Sequence, residues 1–275
     1  MRVLIAGCGY VGCALAERLT AAGASVVGLR REAGALPPGV EPFAADVRDA
    51  AALRRLPGPF DAVVYAAAPA RREEEAYRAV YVEGVARVAE ASGGARFVLV
   101  SSTSVYAQDD GSLVDETSPT EPASFAGRAV LAGEARARAG AVDAVALRCG
   151  GIYGPGRARL LQAAREGRLA AADGPPRYTN RIHRDDVAGA LAHLLALPAP
   201  EAVYVGVDAE PADEAEVHRW LAARVGRPLP ARAGAPPVGA ARGKRCSSRR
   251  LLASGYRFLF PSFREGYGAL ADAGG

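Results

Sequence analysis

Short runs of β-branched and other apolar residues alternate along the chain with Ala-rich stretches whose apolar positions recur at helical spacing. The runs RVLIAG (2–7), SVVGL (25–29), AVVYAA (62–67), RFVLVSS (96–102) and AVALR (144–148) are almost continuously apolar. Strands covered on both faces read this way, because neither side of the pleat meets water. Helices are expected over 12–22, 49–56, 73–92 and 125–139, in alternation with those strands. The pattern predicts an α/β fold: a Rossmann-type, doubly wound parallel sheet built from right-handed crossovers. After residue 149 it loosens, and GGIYGPGR (150–157), DGPPRYTN (173–180) and the Pro/Gly/Ala stretch 226–243 read as loops. DDVAGALAHLLAL (185–197) reads as a helix that returns to the sheet. The expected organisation is a sheet domain over 1–148, rejoined by 185–197, with a small interleaved lobe from 149–182 and 198–275.

The segment VLIAGCGYVG (3–12) places Gly7, Gly9 and Gly12 between the first strand and the first helix. There Gly7 makes a tight turn, Gly9 lets the backbone approach a pyrophosphate, and Gly12 permits close helix–strand packing. The helix N-terminus, at Tyr10 and Val11, offers N–H groups and a positive dipole end to phosphates. A dinucleotide site is therefore expected. At the end of the second strand, where an acidic residue selects the ribose of NAD, stand Arg30 and Arg31, followed by Glu32. A guanidinium fork pairs with a 2′-phosphate, so NADP is expected ahead of NAD. Asp46, beside Val47, reads either as an acceptor for the adenine amino group or as a helix N-cap. Ala66, Ala67 and Ala68 either leave room for the cofactor over a strand end or reflect close packing.

Half of the 275 residues are hydrophobic and 23% are charged, proportions of a globular chain rather than a disordered one. Met1 leads straight into Val3, Leu4 and Ile5 without a leader pattern, and no stretch reaches the ~20 apolar residues of a membrane span. A cytoplasmic protein without a membrane partner is expected. The net charge of +4 comes from scattered arginines, apart from the cluster Arg242, Lys244, Arg245, Arg249 and Arg250; this spread does not suggest a nucleic-acid surface. Cys8, Cys13, Cys149 and Cys246 lack metal-ligand spacing and are expected to be reduced and buried, with no metal site. Lys244 is the only lysine.

Together with the glycine motif, the segments DVRD (46–49), SSTSVY (101–106), LRCGGIYGPGR (147–157), RIHRDDVAGAL (181–191) and SRRLLASGYRF (248–258) resemble the extended short-chain dehydrogenase/reductases of the NAD-dependent epimerase/dehydratase type. The likeness covers essentially the whole chain and is strongest to a bacterial group of atypical, YeeZ-like members. It implies a cofactor domain, a substrate lobe, and Ser101 and Cys149 near the cofactor. It also implies a catalytic serine at Ser102, where the other reading is a strand-end serine capping a turn. The resemblance further implies a homodimer formed through the helices expected over 73–92 and 125–139, as relatives often dimerise through the corresponding pair.

The family's Tyr-x-x-x-Lys pair, in which the lysine lowers the tyrosine pKa so that the tyrosine moves a proton, should fall in PASFAGRAVLAGE (122–134). In the register set by Gly-Arg and Leu-Ala-Gly-Glu, those positions hold Ala126 and Val130. Tyr153 and His183 are the candidate substitute acids, each of which also reads as a packed core residue. Asn180 and Arg181 are candidates to meet an anionic or sugar-like substrate. The expected function is an atypical NAD(P)-dependent oxidoreductase or epimerase-like activity on a small polar substrate; the alternative is a non-catalytic NADP(H)-binding sensor or interaction protein.

Overall fold

A computed structural model describes residues 1–32, 34, 36–171, 174–231 and 240–273. Residue 173 of the loop expected over 173–180 and residues 232–239 of that expected over 226–243 fall outside these residues. The chain divides into two compact units: Met1–Ala107, Pro119–Arg148 and Val187–Tyr204 form the first, and Gln108–Ser118, Cys149–Asp186 and Val205–Gly275 the second.

The first unit carries a seven-stranded sheet in the spatial order 203–206, 144–149, 96–102, 62–65, 2–6, 25–30, 40–44. Strand Arg2–Ala6 pairs in parallel with Ser25–Arg30 on one side and Ala62–Tyr65 on the other, so the order reverses at the first strand. A crevice at such a switch point, beyond the carboxyl ends of the strands, is where doubly wound sheets take their ligands. Leu4, Val27, Val63, Tyr65, Phe97 and Leu99 pack one core of this unit, each almost completely buried. Each such side chain contributes about 1.5–3 kcal/mol by leaving water.

Two edge strands carry no clear sequence signal. Val40–Ala44 contains Glu41 and Pro42 and buries fully only Val40, which suits an edge where a missing N–H goes unnoticed. Val203–Gly206 spans four residues. The helix expected over 73–92 forms as Glu74–Tyr77, a π-helical stretch Arg78–Gly84, and Val85–Ala91. The Tyr65 hydroxyl donates to the Val80 carbonyl at 2.6 Å, and a Cβ at Gly84 would lie 2.5 Å from that hydroxyl. A side chain inserted against the i→i−4 ladder widens it locally.

The second unit is built from short pieces. Gly151–Tyr153 pairs in parallel with Arg181–His183, and Leu113–Val114 pairs with Arg245–Cys246, which draws residues 108–118 into this unit. Helices Arg159–Arg165, Glu214–Arg224 and Phe263–Asp272 supply Leu161, Ala164, Val217, Leu221, Phe263 and Tyr267 to its core. Its basic cluster is partly spent internally: Arg245 donates to the Gly111 carbonyl at 2.8 Å, and Arg250 approaches Glu116 at 3.8 Å. Among the described residues no helix is long and apolar enough to cross a membrane.

Candidate functional site

The three glycines of the first turn have different reasons to be glycine. Gly7 has φ +93°, and a Cβ there would lie 2.2 Å from the Ala67 nitrogen; a Cβ at Gly12 would lie 2.7 Å from the Gly7 carbonyl. Both are fixed by contacts inside the chain. Gly9 is not: the only atom near a Cβ built on it is the Gly7 oxygen at 4.0 Å. The space its missing side chain leaves is open to a ligand, which is what a pyrophosphate lying on the backbone requires.

Helix Tyr10–Ala21 begins directly after Gly9, and its first i→i−4 bond is from the Cys13 N–H to the Gly9 carbonyl at 2.7 Å. The N–H groups of Val11 and Gly12 therefore precede the helical ladder and are oriented for an anion. The Val11 side chain is itself buried, so its part in the cradle belongs to the backbone. Ala66 and Ala67 close against Gly7, with the Ala66 N–H donating to the Ala6 carbonyl at 2.8 Å, while Ala68 is exposed.

At the adenosine end, Arg30 closes the second strand and Arg31 is exposed beyond it. Asp46 accepts from the Arg48 backbone N–H and Nε at 2.9 Å each and from Nη2 at 2.7 Å. That pairing holds its carboxyl below the usual range, and Arg31 adds to the effect, which places Arg31 near Asp46. The N-cap reading of Asp46 is corrected: Asp49 caps helix Ala50–Leu53 by accepting from Ala51 and Ala52. Val47 points into the core. Cys8 is buried under the cradle, its thiol pushed up to about 12 by burial and by Cys13; Cys13 is only half-buried, contrary to expectation.

Strand Arg96–Ser102 delivers the two serines to different tasks. Ser101 donates to buried Glu134 at 2.6 Å, so its side chain belongs to the interior rather than to a cofactor. Ser102 Oγ accepts from the Ser104 N–H at 3.1 Å, capping the turn Thr103–Val105. This engages an acceptor site of the hydroxyl and leaves its proton to donate. Helix Phe125–Gly140 presses on this turn: a Cβ at Gly127 would lie 2.3 Å from the Ser104 carbonyl. Ala126 and Val130 are buried on the same helix.

An ionic network that the sequence reading missed stands one helical turn further on. Arg148 donates to Glu134 through Nε at 2.9 Å and Nη2 at 2.8 Å, and through Nη1 to the Tyr106 hydroxyl at 2.8 Å. All four side chains of the Ser101–Glu134–Arg148–Tyr106 network are buried. Its sequence signal is a Glu and an Arg set within otherwise apolar faces of a helix and a strand.

In the second unit several expected roles are corrected. Tyr153 is a core residue, stacked on Tyr267 at 4.3 Å, and its hydroxyl lies where a Cβ on Gly266 would be only 1.9 Å away. Burial raises its pKa far above that of an ordinary tyrosine, which removes it as a proton donor near neutrality. His183 is buried between Tyr153 and Phe260, and its Nδ1 accepts from the Asp185 N–H at 3.2 Å. Burial lowers its pKa, so it is a neutral core imidazole. Asn180 is a clip: Nδ2 donates to the Lys244 carbonyl and Oδ1 accepts from the Cys246 N–H, both at 2.8 Å. Arg181 is buried, and its Nη2 donates to the Thr179 hydroxyl. Cys149 is buried, its thiol pushed up to about 12 by desolvation.

Asp186, at the start of helix Arg184–Ala196, anchors the C-terminal segment of this unit. It accepts from the Tyr256 hydroxyl at 2.8 Å and from the Leu259 and Phe260 N–H groups at 2.7 and 2.9 Å.

A parallel sheet that reverses order beside a glycine turn with one unfilled Cβ position defines the chain as a Rossmann-type α/β protein. The profile of the NAD dependent epimerase/dehydratase family matches residues 3–206, and the chain belongs to that family. Among solved structures it is similar to a Methylobacillus flagellatus protein assigned to the NAD-dependent epimerase/dehydratase type, at 38% identity and TM-score 0.85, over 99% of this chain and 98% of that one. It is also similar to human epimerase family protein SDR39U1, solved with NADPH (25%, TM-score 0.80, 99% of each chain). A third similar structure is Thermus thermophilus UDP-glucose 4-epimerase with NAD (26%, TM-score 0.80, 99% and 98%). Comparison with curated proteins finds no significant match.

Proposed function

We propose that the chain is an atypical NAD(P)-dependent oxidoreductase or epimerase-like enzyme that binds NADP(H) ahead of NAD(H) and acts on a small polar substrate. The observation that carries the reading is the open Cβ position of Gly9, beside helix N–H groups and at the reversal of strand order. The similar structures solved with NADPH and with NAD support a nicotinamide coenzyme in that cradle. Arg30 and Arg31, at a strand end that offers no carboxylate before Glu32, support a 2′-phosphate.

The bound nicotinamide would supply hydride transfer. Ser102 would orient a substrate oxygen by donating its free hydroxyl proton, since its acceptor role toward Ser104 is already taken. Lys244 is the only lysine and Ala stands four residues before it, so the chain contains no Tyr-x-x-x-Lys sequence at all. The proton then passes through water or a group of the substrate, not through a tyrosine activated by lysine. Ala126 and Val130, both apolar and buried, favour a second reading in which the protein binds NADP(H) without turnover.

The test is NADPH absorbance in the presence of a panel of small carbonyl and sugar-nucleotide substrates. The enzymatic reading predicts consumption that Ser102→Ala abolishes while NADPH binding is kept. Binding without consumption by any of the panel supports the second reading, and consumption unaffected by Ser102→Ala removes Ser102 from the chemistry.

A further inference from the structure

Among the described residues, the buried side-chain atoms of the second unit without a hydrogen-bond partner include the Tyr153 hydroxyl, Arg181 Nη1 and Asp208 Oδ2. Their residues are 4%, 6% and 1% exposed, so water outside the protein does not satisfy them. They are neighbours. Tyr153 and Arg181 sit two residues apart in register on the paired strands Gly151–Tyr153 and Arg181–His183. The Asp208 N–H donates to the Arg181 carbonyl at 2.7 Å. Helix Phe263–Asp272 covers both, with the Phe263 ring 5.5 Å from the Arg181 guanidinium carbon and Gly266 against the Tyr153 hydroxyl. Gly266 is the position on that helix that leaves room for the hydroxyl.

Arg181 donates through Nη2 to the Thr179 hydroxyl, a neutral partner, and no carboxylate of the described residues lies within 4.0 Å of its guanidinium. A buried guanidinium with no carboxylate in contact is costly, and unsatisfied buried donors are rare enough to call for an occupant. We infer that Tyr153, Arg181 and Asp208 form an internal oxyanion site of the second unit that takes a carboxylate group. One carboxylate oxygen accepts from Arg181 Nη1, the other accepts from the Tyr153 hydroxyl, and protonated Asp208 adds a third donor. Its use in substrate recognition rests on the enzymatic reading above; carboxylate binding itself does not.

Burial pushes Asp208 up to about 8 in spite of Arg181, so its protonated form is accessible near neutrality. Arg181, Glu210, Asp186, Tyr153 and Tyr267 are the groups that share its field. Glu210 is engaged by Arg264, and His183 beside Tyr153 is held neutral by burial. Carboxylate uptake is thus coupled to holding a proton on Asp208, and it weakens as the pH rises past the Asp208 range.

The test is calorimetric titration of the full chain with formate, against chloride at equal ionic strength, at about pH 6.5 and about pH 9 and in two buffers of different ionisation enthalpy. The expected result is saturable formate binding with proton uptake, weakening about tenfold per pH unit above the Asp208 range. Arg181→Met abolishes it, Tyr153→Phe weakens it about tenfold, and Asp208→Asn keeps binding but loses the pH dependence and the proton uptake. Tyr153→Phe keeps the ring stack on Tyr267 and carries the test if Arg181→Met does not fold. Absence of saturable formate heat, or Tyr153→Phe binding formate as the parent does, overturns the site. NADPH titrated into the same samples reports separately on the coenzyme reading, so the two fail independently.

Discussion

Each unit buries an arginine, and the two are treated in opposite ways. In the first unit Arg148 has a partner at Nε, Nη1 and Nη2, and its carboxylate partner Glu134 also receives Ser101. In the second, Arg181 has one neutral acceptor and an orphaned Nη1, and the nearby Asp208 keeps an orphaned Oδ2. A completed network rigidifies the interior, whereas an incomplete one at equal burial calls for an explanation. The glycines show a parallel difference: Gly7 and Gly12 are explained by atoms of the chain itself, whereas the Cβ position of Gly9 is open.

The contrast is broken most severely by cutting the completed network. Glu134→Ala strands the Arg148 cation in the interior and is expected to cost about 3–5 kcal/mol in urea unfolding. Next is Gly7→Ala, which meets both a positive φ and the Ala67 backbone and should cost at least about 2 kcal/mol. Arg181→Met removes a charge that has no carboxylate partner, and its unfolding free energy should lie within about 1 kcal/mol of the parent's or above it. If it costs as much as Glu134→Ala, the two arginines are not different in kind.

The pH dependence sharpens the same point. Asp208 has its folded pKa raised to about 8, so between the ordinary carboxylate range and pH 8 the folded chain holds a proton that the unfolded chain has lost. Its contribution to stability therefore falls as the pH rises across that window, and Asp208→Asn should flatten the thermal midpoint there. His183 acts in the other direction: its lowered pKa makes the unfolded chain bind the extra proton, so stability falls as the pH drops below about 6.5.

The sheet was legible because its inner strands are apolar on both faces, and the cradle because its glycines sit between a strand and a helix. What the sequence hid has physical causes. Val40–Ala44 lacks an apolar pattern since it lies at an edge, and the π-helical stretch Arg78–Gly84 follows from a tyrosine hydroxyl arriving from another strand. Tyr153, His183 and Asn180 are residue types that serve chemistry and packing equally, so only their surroundings could decide. Asp208 ends an apolar run much as Asp46 follows one; burial, which no local pattern reports, separates them.

The central claim is that the space beside Gly9 holds a dinucleotide diphosphate, and calorimetry with NADPH and NADH on the parent chain and on Gly9→Val tests it most directly. The account predicts binding of both coenzymes by the parent, NADPH at least about tenfold tighter at low salt, equivalent to about 1.4 kcal/mol. It also predicts that Gly9→Val loses both with its thermal midpoint unchanged. No heat from either coenzyme with the parent, or undiminished binding by Gly9→Val, contradicts it.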